Sequence, residues 1–195
     1  MESRNRLAAV TFLLATAGMA QMWANPAQGG AAGQTEAAAI KSFEQNIAQY
    51  MALRESLIAE KITGPVPNST APELNRASDV LAAAIQRART NARPGDLFVA
   101  SVTPILKQRI VDVVRAENLG PVLAGIDDEP KGTVTPAVHM RFPVAAPLAT
   151  MPPSLLAALP PLPKSLEYRI VGRFLVLRDV DAALIVDFIP AVVPR

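Results

Sequence analysis

Residues able to do chemistry are few in this chain, and they are scattered. His139 is the one histidine. As a lone imidazole in the stretch VHMRF it has no neighbouring Ser, Cys or second His to make a general-base pair or a metal site, so it reads as a structural or surface histidine. Asp127-Asp128-Glu129 is an acidic run without the alternating ligand spacing and central Gly of a calcium loop, and it reads as a solvated turn. Asp179 and Asp181 flank a short turn, where aspartate side chains accept from local main-chain donors; a weak cation site is the sharper alternative. Ser69, Ser154 and Ser165 lack a G-x-S-x-G context and any adjacent base. No glycine falls into G-x-G-x-x-G or a P-loop. Arg87, Arg89 and Arg93 make a modest basic edge. The residues therefore predict no catalytic, cofactor-binding or metal-ligating set.

Composition sets further bounds. The 195 residues suffice for one ordinary domain with a core of its own. Nineteen basic and 17 acidic side chains leave a net charge of +2, and only 5% of residues are aromatic. That is too little field and too few stacking platforms for nucleic acid. Cysteine is absent, which excludes disulfides, a thiol nucleophile and a lipidated N-terminal cysteine.

The N-terminus carries the strongest functional signal. Arg4 and Arg6 precede the apolar run Leu7–Ala20, and Gly18-Met19-Ala20 places small residues at −3 and −1. The pattern predicts a secretory signal over residues 1–20, with residue 24 as the alternative end. An uncleaved anchor is the competing reading, since the run extended to Ala24 nears the length needed to span a bilayer. The flank beyond Asn25 is small and uncharged, which favours cleavage. Removing residues 1–20 takes away Glu2, Arg4 and Arg6, leaving a net charge of +1 and no membrane span.

Several elements position these side chains. Residues 21–35 are rich in Gly, Ala and Gln and read as a flexible spacer. Ile40, Phe43, Ile47, Tyr50 and Leu57, with Met51 and Ile58, form a helical stripe from Glu36 to Ile62. Thr70-Ala71-Pro72-Glu73 opens a second helix with a capping box. Its predicted buried face is Leu74, Ala77, Leu81, Ala84, Ile85 and Ala88. Asp96 is expected to cap a short helical piece through Val99. Thr103-Pro104 begins a third helix to about Asn118, stopped by Leu119-Gly120-Pro121. Residues 36–118 are thus the helical part.

Ten of the 18 prolines lie between Pro121 and Pro163. They predict a connector over 119–165 that wraps the helices, anchored by Leu148, Met151, Leu155, Leu156, Leu159 and Leu162. Within it, Thr133–Phe142 reads as an edge strand and Pro153–Leu159 as one or two helical turns.

Residues 166–189 read as a three-stranded antiparallel meander. Gly172-Arg173 suits a type II′ turn that sets Val171 opposite Phe174, Ile170 opposite Leu175, Tyr168 opposite Leu177 and Glu167 opposite Arg178. An even-length second loop places Leu184, Val186 and Phe188 on the apolar face and Asp187 on the wetter one. The expected fold is α+β. About three N-terminal helices and the proline-rich wrap cover one face of the C-terminal meander, and 36–190 form one domain.

The string from Pro152 through Ile189, with Phe43, Tyr50, Leu53-Arg54 and Ala92–Phe98, resembles an uncharacterised family of secreted bacterial proteins. The pattern Tyr168-Arg169, Gly172, Leu177, Asp179 and Leu184–Asp187 is similar to the C-terminal module of RcnB-like periplasmic nickel/cobalt-homeostasis proteins. It is also similar to a module of secreted alphaproteobacterial proteins, in which a Gly-Thr…Pro stretch like Gly132-Thr133…Pro136 precedes the meander. These resemblances imply a small β-rich envelope domain that is not a known enzyme. Relatives carry Gly or Asn near Ala183, which implies a left-handed residue in that turn. With a single His and no Cys, a metal role does not carry over with its ligands. The functional expectation is an exported, non-enzymatic envelope or extracellular module with an unknown partner there. The alternatives are an accessory role in periplasmic metal or stress homeostasis, and an enzyme whose site is invisible in sequence.

Overall fold

A computed structural model describes residues 27–61, 70–127, 135–142 and 151–193. The predicted signal segment, Ser69, Asp128, Glu129, Thr133 and Leu148 lie outside them. The fold is α+β: helices fill the N-terminal half and an antiparallel sheet of order β1-β2-β3 closes the C-terminus.

Helix α1 (Ala27–Lys61) starts inside the stretch read as a spacer, so residues 27–35 are helical. Alanine is the best helix former, and a helix anchored downstream extends at little cost, which outweighs the glycines here. The anchor is the predicted stripe: Phe43, Ile47 and Tyr50 are buried, preceded by Ala39 and followed one turn later by Arg54.

Helix α2 (Ala71–Ala88) opens as its capping residues require. The Glu73 carboxylate accepts from the Thr70 N–H at 2.6 Å and from its hydroxyl at 2.8 Å. Burial begins only at Leu81 and includes Ala82, Ala84 and Ile85; Leu74 and Ala88, predicted to be inside, are exposed. No helical piece forms at 96–99. Asp96 instead accepts from the Arg93 N–H at 2.8 Å, closing a turn in which Gly95 sits at φ +91°.

Helix α3 (Thr103–Ala116) buries Leu106, Ile110 and Val114. Asn118 at φ +51° and the Leu119 N–H donating to the Val114 carbonyl form a left-handed helix stop. Gly120-Pro121 then starts a further helix that the sequence did not suggest, α4 (Gly120–Asp127), because proline is tolerated in a first turn. Helix α5 (Pro153–Ala157) is the expected short turn. Of its anchors Met151, Leu155 and Leu159 are buried, whereas Leu156 is exposed.

Strands β1 (Leu166–Val171), β2 (Phe174–Asp179) and β3 (Leu184–Ile189) form the sheet. The β1–β2 register is the predicted one at every pair named above. Gly172 sits at φ +55°, as the first central residue of a type II′ turn must. The β2–β3 pairing departs from expectation. Arg178 pairs with Ile185 but Leu177 pairs with Asp187, so Val186 is an extra residue, a β-bulge. A bulge shifts the alternation by one position. Leu184 and Val186 keep the helix-facing side, but Asp187 and Ile189 join them there, and Phe188 turns to the outer face with Val176 and Ile185.

The inner face of the sheet, α1–α3 and α5 share one core, in which Phe98 stacks on Phe43 at 5.5 Å. A smaller cluster of Phe142, Val176 and Ile185 occupies the outer face. Among the described residues of the segment predicted as an edge strand to Phe142, the pairing is one bridge, Arg141 with Leu184.

Candidate functional site

The charged groups that the fold brings together lie where α1, α2 and the 93–98 turn meet the sheet. Asp179 and Asp187 are both fully buried. A charge in that position persists only if its hydrogen bonds are satisfied.

Asp179 lies at the end of β2 on the helix-facing side. Its Oδ2 accepts from the Tyr50 hydroxyl at 2.8 Å and from Arg54 Nε at 3.0 Å. Its Oδ1 accepts from the Ala182 N–H at 2.9 Å, the local turn contact that the sequence predicts for an aspartate here. Arg54 extends its other arm to Asp181, so one guanidinium neutralises both turn carboxylates. The cation reading of this pair is therefore pre-empted by Arg54. Burial, then the neighbouring Asp179, pushes the Tyr50 hydroxyl pKa well above its ordinary value. Tyr50 stays a neutral donor. The Arg89 guanidinium lies 5.4 Å over the Tyr50 ring and donates to the Val186 carbonyl at the bulge, 3.2 Å away. Of the predicted basic edge, Arg87 and Arg93 are exposed and Arg89 is half-buried.

Asp187 is held by main chain alone. Oδ1 accepts from the N–H groups of Gly95 and Phe188, and Oδ2 from those of Leu97 and Phe98, each at 2.8 Å. Burial raises its pKa above the ordinary carboxylate value, against these donors that favour the charge. The carboxylate pins the 95–98 turn to β3, and the same turn lends its main-chain carbonyl at Asp96 to Asn46 of α1 at 2.9 Å. This role is not legible in the sequence. Only the ARPGDLF string, with its obligatory turn at Gly95, marks a loop whose N–H groups need acceptors.

The outer face carries a second charge set. Glu167 accepts from Arg169 at 2.7 Å and from Arg178 at 2.5 Å, the latter being the predicted cross-strand pair. Burial works the other way, but these two arginines bring the Glu167 pKa below its ordinary value. The Arg178 guanidinium also covers the Phe142 ring at 4.8 Å.

His139 sits at φ +69° in the segment that runs beside β3, and its N–H donates to the Ile185 carbonyl. Burial, and then Arg89, lowers its pKa, so the imidazole is neutral. Its Nε2 has no partner and Gln86 holds its carbonyl at 3.0 Å. Its role in the fold comes from its main chain. Ser154 donates to Glu117 at 2.7 Å, and the Ser165 carbonyl receives the Val180 N–H. Among the described residues no group of three or more His, Asp or Glu side chains converges as a metal site would. Nor is any described helix long and apolar enough to cross a membrane.

A cleft of about 380 Å³ opens beside β1, between Met151, Leu156 and Pro160–Leu162 on one wall and Leu166–Arg169 on the other. Tyr168 also lines it and donates its hydroxyl to the Pro160 carbonyl at 3.0 Å. Compared with protein-family models, curated proteins and solved structures, the chain matches none.

Proposed function

We propose that this chain is an exported, non-enzymatic module that holds a partner in the cell envelope or outside it. The observation that carries the reading is where the buried charges end. Asp179, Arg54, Tyr50 and Asp187 are saturated by one another or by main chain. They fasten α1 and the 95–98 turn to the sheet, and none of the four is left free to act as an acid, base or nucleophile. The cleft beside β1 is different in kind. Its walls are mainly Leu, Met and Pro, with Glu167 and Arg169 at the rim, a lining suited to apolar contact with a polar border. Export is supported by Arg4, Arg6, the apolar run to Ala20 and the small residues before it.

The test has two arms. The chain recovered from a periplasmic fraction should begin near Gln21 or Asn25, and an intact Met1 confined to the cytosol would refute export. A photo-crosslinking residue at Leu156, exposed on the cleft wall, should yield a discrete adduct with a foreign mass. Adducts with the chain itself only, or none, would refute the holding of a partner.

A further inference from the structure

The two edges of the sheet are treated differently. On β3 the edge is covered at its start. His139 donates to the Ile185 carbonyl, Ile185 to the Met140 carbonyl and Phe142 to the Ala183 carbonyl. On β1 the alternation of the ladder can be read from its hairpin. In a two-residue hairpin the flanking pair, Val171 and Phe174, is hydrogen-bonded. Residues 167, 169 and 171 therefore turn their main-chain groups to β2, and 166, 168 and 170 turn theirs outward. The Val180 N–H bound to the Ser165 carbonyl at 2.9 Å follows the same alternation. Leu166 spends its outward N–H on the Pro163 carbonyl at 2.9 Å. Among the described residues, Tyr168 and Ile170 have no main-chain partner on that side.

We propose that two copies of this chain join by antiparallel pairing of their β1 edges, about a two-fold axis at Tyr168. The occupant is chosen by the strand's own charge pattern. Leu166-Glu167-Tyr168-Arg169-Ile170 read backwards from Tyr168 is complementary to itself. Glu167 falls opposite Arg169 of the second copy, Arg169 opposite its Glu167, and Leu166 opposite its Ile170. Tyr168 meets its own counterpart in a hydrogen-bonded pair, and the Ile170 N–H reaches the second copy's free Leu166 carbonyl. The neighbouring registers are repelled. A shift one way sets Glu167 opposite Glu167, and the other sets Arg169 opposite Arg169, and like charges directly opposite destabilise a sheet. Because the pairing is isologous about a two-fold axis, it closes at two copies and does not propagate. The inference is independent of export but shares the Leu166–Arg169 wall of the cleft with the proposed partner, and the register probe below separates the two.

Sedimentation velocity of the full chain over a concentration series should show a monomer–dimer equilibrium. Arg169→Glu, which keeps the Glu167–Arg178 bridge within the chain, should weaken the dimer about tenfold with an unchanged circular-dichroism spectrum. The register has its own probe, since the native chain has no cysteine. Residues 165 and 171 are opposed across the proposed axis, at a non-hydrogen-bonded pair where side chains approach closely. A mixture of Ser165→Cys and Val171→Cys chains should form a disulfide-linked dimer on mild oxidation, and neither variant should do so alone. A chain that stays monomeric at every concentration overturns the proposal. So does a dimer indifferent to Arg169→Glu, or one cross-linked by Val171→Cys alone. A monomer whose Leu156 position captures only foreign protein gives the edge to another partner's strand, and also overturns it.

Discussion

Asp179 and Asp187 stand in adjacent strands of one hairpin, both without solvent exposure, and the fold satisfies their side-chain oxygens by opposite means. Asp179 is satisfied chiefly by side chains from a distant helix, Tyr50 and Arg54. Asp187 is satisfied only by main-chain N–H groups, three of them from the 95–98 turn. A side-chain partner can be replaced or compensated. A row of N–H groups aimed at one point requires acceptor oxygens in one fixed geometry. The first site is adjustable and the second is not, and that difference yields measurable consequences.

The largest effect is expected at the second site. In Asp187→Asn one oxygen becomes a donor facing the Leu97 and Phe98 N–H groups or those of Gly95 and Phe188. Each buried donor left without an acceptor costs about 1–3 kcal/mol, so a loss of roughly 3–5 kcal/mol in urea unfolding follows. A loss below about 1 kcal/mol would mean that the carboxylate does not fasten the turn.

At the first site the losses should be smaller and coupled. Arg54→Ala leaves Asp179 with the Tyr50 hydroxyl and the Ala182 N–H, and should cost about 2–4 kcal/mol. Tyr50→Phe removes one hydrogen bond to a charged acceptor and should cost about 1.5–3 kcal/mol. In a double-mutant cycle the two should depart from additivity by at least about 0.5 kcal/mol, because they serve one oxygen. Strict additivity would separate Tyr50 from the Asp179 network.

The contrast also decides how much could be read in advance. The β1–β2 hairpin was legible pair by pair, because alternation and Gly172 fix register through rules local to a few residues. So was the stripe of α1 through Tyr50, and the local turn contact of Asp179. Asp187 was misplaced to the wetter face because nothing in Leu184–Ile189 marks Val186 as the bulged residue. The bulge depends on how β3 docks under Arg89 and the 95–98 turn. The helix at Gly120 and the helical start at Ala27 were missed because breakers were weighed without the anchors beside them. Arg54 lies outside the predicted apolar stripe of α1. Its burial follows from where the β2–β3 turn sits, which no helical period reveals.

Acid titration extends the comparison to the outer face. Glu167 has a folded pKa below its unfolded value, so its contribution is complete above the unfolded pKa and is lost as pH falls through the folded one. Asp187, with a folded pKa raised, runs the other way: its contribution is present below the unfolded pKa and lost as pH rises through the folded one. Glu167→Gln should therefore flatten the acid limb of the stability–pH curve below the carboxylate range. If that limb keeps its slope in Glu167→Gln, the Arg169–Glu167–Arg178 bridge contributes nothing to acid sensitivity.

The smallest effect lies in the turn that Asp179 organises. Ala182 gives its N–H to that carboxylate, and the next residue, Ala183, is driven to φ +46°. An L side chain in the left-handed region costs about 1–2 kcal/mol, whereas glycine enters it freely but loses more entropy on folding, about 0.5–1 kcal/mol. The first term is the larger, so Ala183→Gly should stabilise the native chain by about 0.5–1 kcal/mol. That gain requires Asp179 to hold the turn in place. In an Asp179→Ala background the turn is free to leave the left-handed conformation, and Ala183→Gly should then lose its benefit. An equal gain in both backgrounds would show that the turn, and not the buried carboxylate, sets the geometry between β2 and β3.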